Sequence, residues 1–111
     1  MLTEVEARAK GAVLMSKLKG AGWWLRVWEN MGWHFAAHNK HIAVYWYNDQ
    51  YSAMLTNDEQ SGSGEIYWTD SEHFEDPNEA VDHQMKVARA FLNKLRRTVE
   101  YVEQKVLGRH G

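Results

Sequence analysis

Between Trp23 and Thr56 apolar and polar residues alternate along segments that are separated by a few turn-forming residues. The breaks are Asn30-Met31-Gly32, Asn39-Lys40 and Asn48-Asp49-Gln50. Asparagine, aspartate and glycine accept the left-handed backbone that tight hairpins require. Alternation with such short breaks leaves little choice. Each segment is a strand, consecutive strands are antiparallel neighbours, and one side of the sheet is apolar. The spacing predicts strands over 23–29, 33–38, 41–47 and 51–56. A further strand over 65–69 follows the flexible loop Gln60-Ser61-Gly62-Ser63-Gly64.

Helix signals flank this region. Thr3 and Glu6 have the spacing of a capping box, which satisfies two backbone donors at a helix start. A helix is expected from Glu4 to Lys19, with Ala7, Gly11, Leu14 and Leu18 as its apolar stripe and Gly20 and Gly22 ending it. Near the other end, Asp76-Pro77-Asn78-Glu79 reads as an N-cap, a proline at the first helical position and an acidic first turn. Val81, Met85, Ala88, Leu92, Leu95, Val99, Val102 and Val106 then recur at alternating steps of four and three. That is the seam of a helix lying lengthwise on a partner. A helix over about 77–107 would be roughly 45 Å long, longer than a compact domain of this size. Its end projects, or it bends, or a second subunit covers it, and a homodimer is the expected consequence. The fold class is α+β over residues 1–111: an N-terminal helix, an antiparallel meander of four to five strands, and a long C-terminal helix packed on one face of the sheet.

The turns set a register. A three-residue turn at Asn30-Met31-Gly32 places Trp28 opposite His34, Arg26 opposite Ala36, and Trp24 opposite His38. A two-residue turn at Asn39-Lys40 places His38 opposite His41, Ala36 opposite Ala43, and His34 opposite Tyr45. Both pairings put Leu25, Val27, Trp33, Phe35, Ala37, Ile42, Val44 and Trp46 on one face, which should lie under the helices. A slip by one residue would mix the two sets, so their separation supports the assignment. The other face carries three rows: Trp24–His38–His41, Arg26–Ala36–Ala43 and Trp28–His34–Tyr45. In the later strands, neither Tyr51, Ala53 and Leu55 nor Ser52, Met54 and Thr56 is plainly the core set. Ile66 and Trp68 are expected to point inward, and Tyr67 outward.

Composition removes several functions. There is no cysteine, so a disulfide framework, a thiolate metal site and a cysteine nucleophile are all excluded. No apolar run approaches the roughly 20 residues of a membrane span, and Met1-Leu2-Thr3-Glu4 lacks the start of a signal peptide. The chain reads as cytoplasmic and not membrane-bound. No phosphate-binding glycine loop, nucleophile elbow or zinc-binding helix is present. Glu29, His34 and Arg26 could be assembled into an acid–base triple, but any chain of this size offers one. The reading is therefore non-enzymatic, with no catalytic residues, no metal and no cofactor. The acidic run through Asp70-Ser71-Glu72-His73-Phe74-Glu75-Asp76 lacks the glycine and closing glutamate of a calcium loop.

What remains is surface. The net charge is −2, so bulk electrostatics select no polyanion. Charge is nevertheless segregated into an acidic belt, Asp58 to Asp82, and a basic helix beyond it. Helix-dipole complementarity accounts for much of this, and the belt is also a candidate surface for a basic partner. The order of helix, strands, helix is similar to that of the double-stranded RNA-binding domain, but here the start of the last helix is acidic where that domain is basic. Nucleic-acid binding is an alternative reading through Lys86, Arg89, Lys94, Arg96 and Arg97. A metal held by His38 and His41 across their hairpin is another, and His34 stands about 13 Å along the strand from His38. The leading expectation is a protein-interaction surface formed by Trp24, Arg26, Trp28, His34, His38, His41 and Tyr45, because aromatic residues and arginine dominate binding hot spots. The opposing possibility is that the chain covers this face itself. Small aromatic chains of segregated charge include inhibitors made by phages and mobile elements, and an inhibitor-like binding module fits that context.

Overall fold

The structure is a computed structural model that describes residues 1–56 and 72–109, together with the backbone of 65–67. The expected loop at Gln60–Gly64 and the inward or outward placement of Ile66, Tyr67 and Trp68 fall outside the described residues. So does the acidic belt between Asp58 and Ser71.

Helix α1 spans Glu4–Lys17. Its capping box forms as the sequence predicts: Glu6 N–H donates to Thr3 Oγ1 at 3.2 Å, and Thr3 N–H donates to Glu6 Oε1 at 3.0 Å. The bond from the Thr3 N–H, first among the causes, holds the Glu6 carboxyl below its ordinary range. The helix ends two residues before the expected Lys19, with Leu18 extended at the C-cap. Strands β1 Trp24–Glu29, β2 Trp33–Asn39, β3 Ile42–Tyr47, β4 Gln50–Thr56 and the short β5 Glu65–Tyr67 follow. They form an antiparallel sheet in sequential order. Helix α2 spans Pro77–Tyr101 and runs into a π turn, Val102–Val106. Asp76 caps α2 as expected, with its Oδ1 accepting from Asn78 N–H at 2.8 Å.

The expected β1–β2 register is the observed one, from Trp24↔His38 to Glu29↔Trp33. Gly32 takes the left-handed backbone at φ +117° and Met31 joins it at φ +53°. The β2–β3 register differs by two residues. Asn39 pairs with Ile42, so the turn is Lys40-His41, and His38 faces Ala43 instead of His41. The cause is long-range. Asn39 Nδ2 donates to the Ala21 carbonyl at 2.8 Å, which holds Asn39 in the strand and leaves Lys40 to adopt φ +48°. A shift of two preserves the faces, and all eight residues expected inward belong to the core or pack against it. The cross-strand rows on the other face become Trp24–His38–Ala43, Arg26–Ala36–Tyr45 and a Trp28–His34 pair.

The core joins Ala7 and Leu14 of α1, Phe35, Ala37, Val44, Tyr51 and Ala53 of the sheet, and Ala80 of α2. Both helices therefore lie on one face, α1 over β1 and β2 and α2 chiefly over β4. Gly11 permits the close approach of α1, because a Cβ there would stand 2.7 Å from Leu25 Cδ2. In β4 the inward set is Tyr51, Ala53 and Leu55, which face Trp46, Val44 and Ile42. Asn78 ties the helices together. Its Nδ2 donates to the Lys17 carbonyl and its Oδ1 accepts from Lys19 N–H, each at 2.9 Å.

Gln84 is buried on α2, and neither its Oε1 nor its Nε2 has a hydrogen-bond partner among the described residues. A buried polar group without a partner costs about 1–3 kcal/mol. Methionine has similar length and no such demand. Gln84→Met is expected to raise stability by about that amount, read as a higher urea midpoint at unchanged slope.

Beyond Ala88 every described residue of the C-terminal helix is exposed. The helix projects from the domain. The molecule measures 61 × 25 × 23 Å, with a radius of gyration of 17.5 Å, against about 13 Å for a compact chain of this length.

Candidate functional site

The outer face of the sheet divides into two unlike halves. At one end His38 is closed over. Its ring stacks on Trp24 at 4.8 Å and meets the edge of Tyr45 at 6.3 Å, and only 2% of the residue is exposed. Ala36 and Ala43 beside it are fully buried. Burial, and then the Arg26 charge, lower the His38 pKa. His38 is therefore a packed residue and not a contact offered to a partner.

Its burial makes stability depend on pH. The folded state favours the neutral ring, so the stabilisation is complete above the ordinary value of 6.5. It is lost as pH falls from there toward the lowered value in the folded state. Thermal melts are expected to show stability falling below about pH 6.5, by at most about 1.4 kcal/mol per pH unit for this one proton. His38→Gln should flatten that slope, and an unchanged slope would show that His38 does not contribute.

His41 leaves the face altogether. It sits in the Lys40-His41 turn, with Nδ1 3.3 Å from the Thr56 carbonyl, a bond that needs its proton on Nδ1. The pairing of His38 with His41 as metal ligands is thereby overturned. Among the described residues, no three His, Asp or Glu side chains gather as metal ligands would.

The other end of the face is open, and the backbone shows why. The ladder between β2 and β3 runs from Asn39↔Ile42 only as far as Ala36↔Tyr45. Phe35, His34 and Trp33 stay paired with β1, while Trp46 and Tyr47 stay paired with β4. The sheet therefore forks. The N-terminal segment enters the fork, where Leu2 forms an antiparallel bridge with Trp33 and its carbonyl accepts from Trp33 N–H at 3.2 Å.

Between the prongs lies a cleft of about 320 Å³, at the lower end of the roughly 300–1,000 Å³ typical of ligand sites. Its walls are aromatic. Trp28, His34, Tyr45 and Tyr47 come from the outer face, and Trp33, Phe35 and Trp46 from the inner one. Met1, Leu2 and Met31 border it. Trp28 stacks on His34 at 5.6 Å and lies 4.5 Å from the Arg26 guanidinium. His34 is itself held by Asn30, whose carbonyl lies 2.8 Å from Nε2. The wall is thus braced before any ligand arrives.

No protein-family model matches the chain, and neither does any curated protein or solved structure.

Of the expected interaction residues, the structure brings Arg26, Trp28, His34 and Tyr45 together at the open end. Trp24 caps His38 at the closed end, and His41 is elsewhere. Tyr47, which is 64% exposed, lines the cleft and was not expected there. Under the two-residue shift it, and not Tyr45, comes level with His34. Lys86, Arg89, Lys94, Arg96 and Arg97 are all exposed on α2. Helical spacing places Lys86, Arg89, Lys94 and Arg97 on the side away from the apolar stripe and Arg96 at the edge of that stripe. No described helix is long and apolar enough to cross a membrane.

Proposed function

We propose that this chain is a non-catalytic protein-interaction module. It receives one bulky apolar side chain of a partner protein in the forked cleft, and it works as a homodimer through the projecting part of α2. The observation that supports the reading best is the fork. A sheet that kept its ladder to the end would close the space that Trp28, His34, Tyr45 and Tyr47 now border. Rigid aromatic walls bury a large area at low entropic cost, as hot-spot pockets do. His34 and Arg26 at the rim set the orientation of what enters.

The test uses a displayed random-peptide library panned on the wild-type protein. Selected peptides are expected to share one aromatic or branched apolar anchor, to lose binding to Trp28→Ala, and to keep it with Trp24→Ala. Failure to enrich any peptide, or equal binding to Trp28→Ala, would contradict the proposal.

A further inference from the structure

Helix α2 carries one apolar stripe along its whole length, but the domain covers only the first part. Pro77, Ala80 and Gln84 are buried against the sheet. Leu92, Leu95, Val99 and Val102 continue the same side at helical spacing, and they are 63%, 48%, 46% and 38% exposed. The opposite side, with Lys86, Arg89, Lys94 and Arg97, is charged. A helix with one apolar and one charged side, standing in water, is half of an interface.

The geometry points to a second copy of this chain as the occupant, laid antiparallel against residues 92–107. This rests on the homodimer reading above and specifies how the dimer is built. The steps of three and four between Leu92, Leu95, Val99 and Val102 are those of a two-helix seam. The position of the sheet then chooses the direction. The sheet stands on the stripe side of α2, at the level of Pro77 to Gln84. In a parallel pair, each sheet would stand on the side facing the other helix and at the same level, so the two sheets would claim one space. In an antiparallel pair, each sheet lies beyond the end of the other helix.

Charge agrees with this choice. Packing Val99 against Val102 of the partner subunit brings Arg96 beside Glu103 of the partner subunit, and two-fold symmetry repeats the pair. In a parallel seam, Arg96 would flank Phe91 of the partner subunit, and Glu103 would flank Thr98 of the partner subunit, with no opposite charges matched. Arg96 Nε reaches Glu100 of its own helix only at 4.0 Å, in an exposed pair that competes weakly. The π turn extends the seam. Leu107 N–H donates to the Val102 carbonyl at 2.9 Å, so Val106 and Leu107 flank the end of the stripe, where Leu95 of the partner subunit arrives.

The absence of cysteine makes the test clean, because a single introduced cysteine takes one spin label. In the full-length chain, Glu100→Cys lies near the proposed two-fold axis and Lys86→Cys near the outer end. Sedimentation is expected to give a dimer, and Val99→Glu a monomer. Dipolar electron spin resonance is expected to give a short distance at position 100. At position 86 the labels should be farther apart by roughly 40 Å along the helix axis. A monomer at high micromolar concentration would overturn both the dimer and its geometry. A dimer with equal distances at the two positions would overturn the antiparallel arrangement alone.

Discussion

Trp28→Ala is expected to weaken binding at the forked cleft by about 2–4 kcal/mol, roughly thirtyfold to a thousandfold, while the fold survives. Trp28 lies on the outer face, half-buried, with His34 on one side and Arg26 near its ring. Removing the ring deletes one wall of the cleft and frees both neighbours. Stacking and cation–π contacts at a partly solvated site are each worth about 1 kcal/mol. With the apolar area of the half-buried ring added, the cost to folding is about 2–4 kcal/mol, still below the stability of a typical domain of this size. Peptide affinity and a thermal melt on the same preparation separate the two effects. Unfolding of the variant would mean that Trp28 belongs to the core.

Leu14→Ala should show the opposite pattern, with a large loss of stability. Leu14 is fully buried where α1 meets the sheet, in the cluster with Phe35, Ala37 and Val44. Truncating a buried leucine costs about 2–5 kcal/mol, the larger values arising where neighbours cannot collapse into the cavity. The strand backbones under Leu14 are fixed by ladders on both sides, and α1 is pinned by its capping box and by Asn78. The cavity should therefore persist, and the loss should lie toward the upper part of that range. At about 4–8 °C per kcal/mol, the melting temperature should fall by at least about 10 °C. A change of a few degrees would show that α1 is not anchored as described.

Much of this architecture was legible from local chemistry. Thr3 with Glu6, and Asp76 with Pro77, marked the helix starts, because capping is decided by residues three or four apart. Alternation marked the inward face, and Gly32 fixed the first hairpin. The parts that were not legible depend on contacts distant in sequence. Asn39 has the chemistry of a turn residue, yet its bond to Ala21 keeps it in β2, which moved the turn and separated His38 from His41. The fork was hidden for the same reason: the position of Leu2 beside Trp33 is not encoded near β2 or β3. The core set of β4 was ambiguous because Tyr51 and Met54 are both large, and the ladder with β3 decides between them. The exposed stripe of α2 was legible as a pattern, while the reach of the domain along it was not.

The forked cleft is tested most directly through the six indole N–H resonances of the tryptophans. N-acetyl-tryptophanamide, a stand-in for a partner's aromatic side chain, is titrated into protein labelled with nitrogen-15 at those positions. Saturable shifts are expected at Trp28, Trp33 and Trp46, which line the cleft, with Trp23 and Trp24 unmoved. Shifts that begin at Trp24, or none at any of the three lining residues, would mean that the fork is not the binding site.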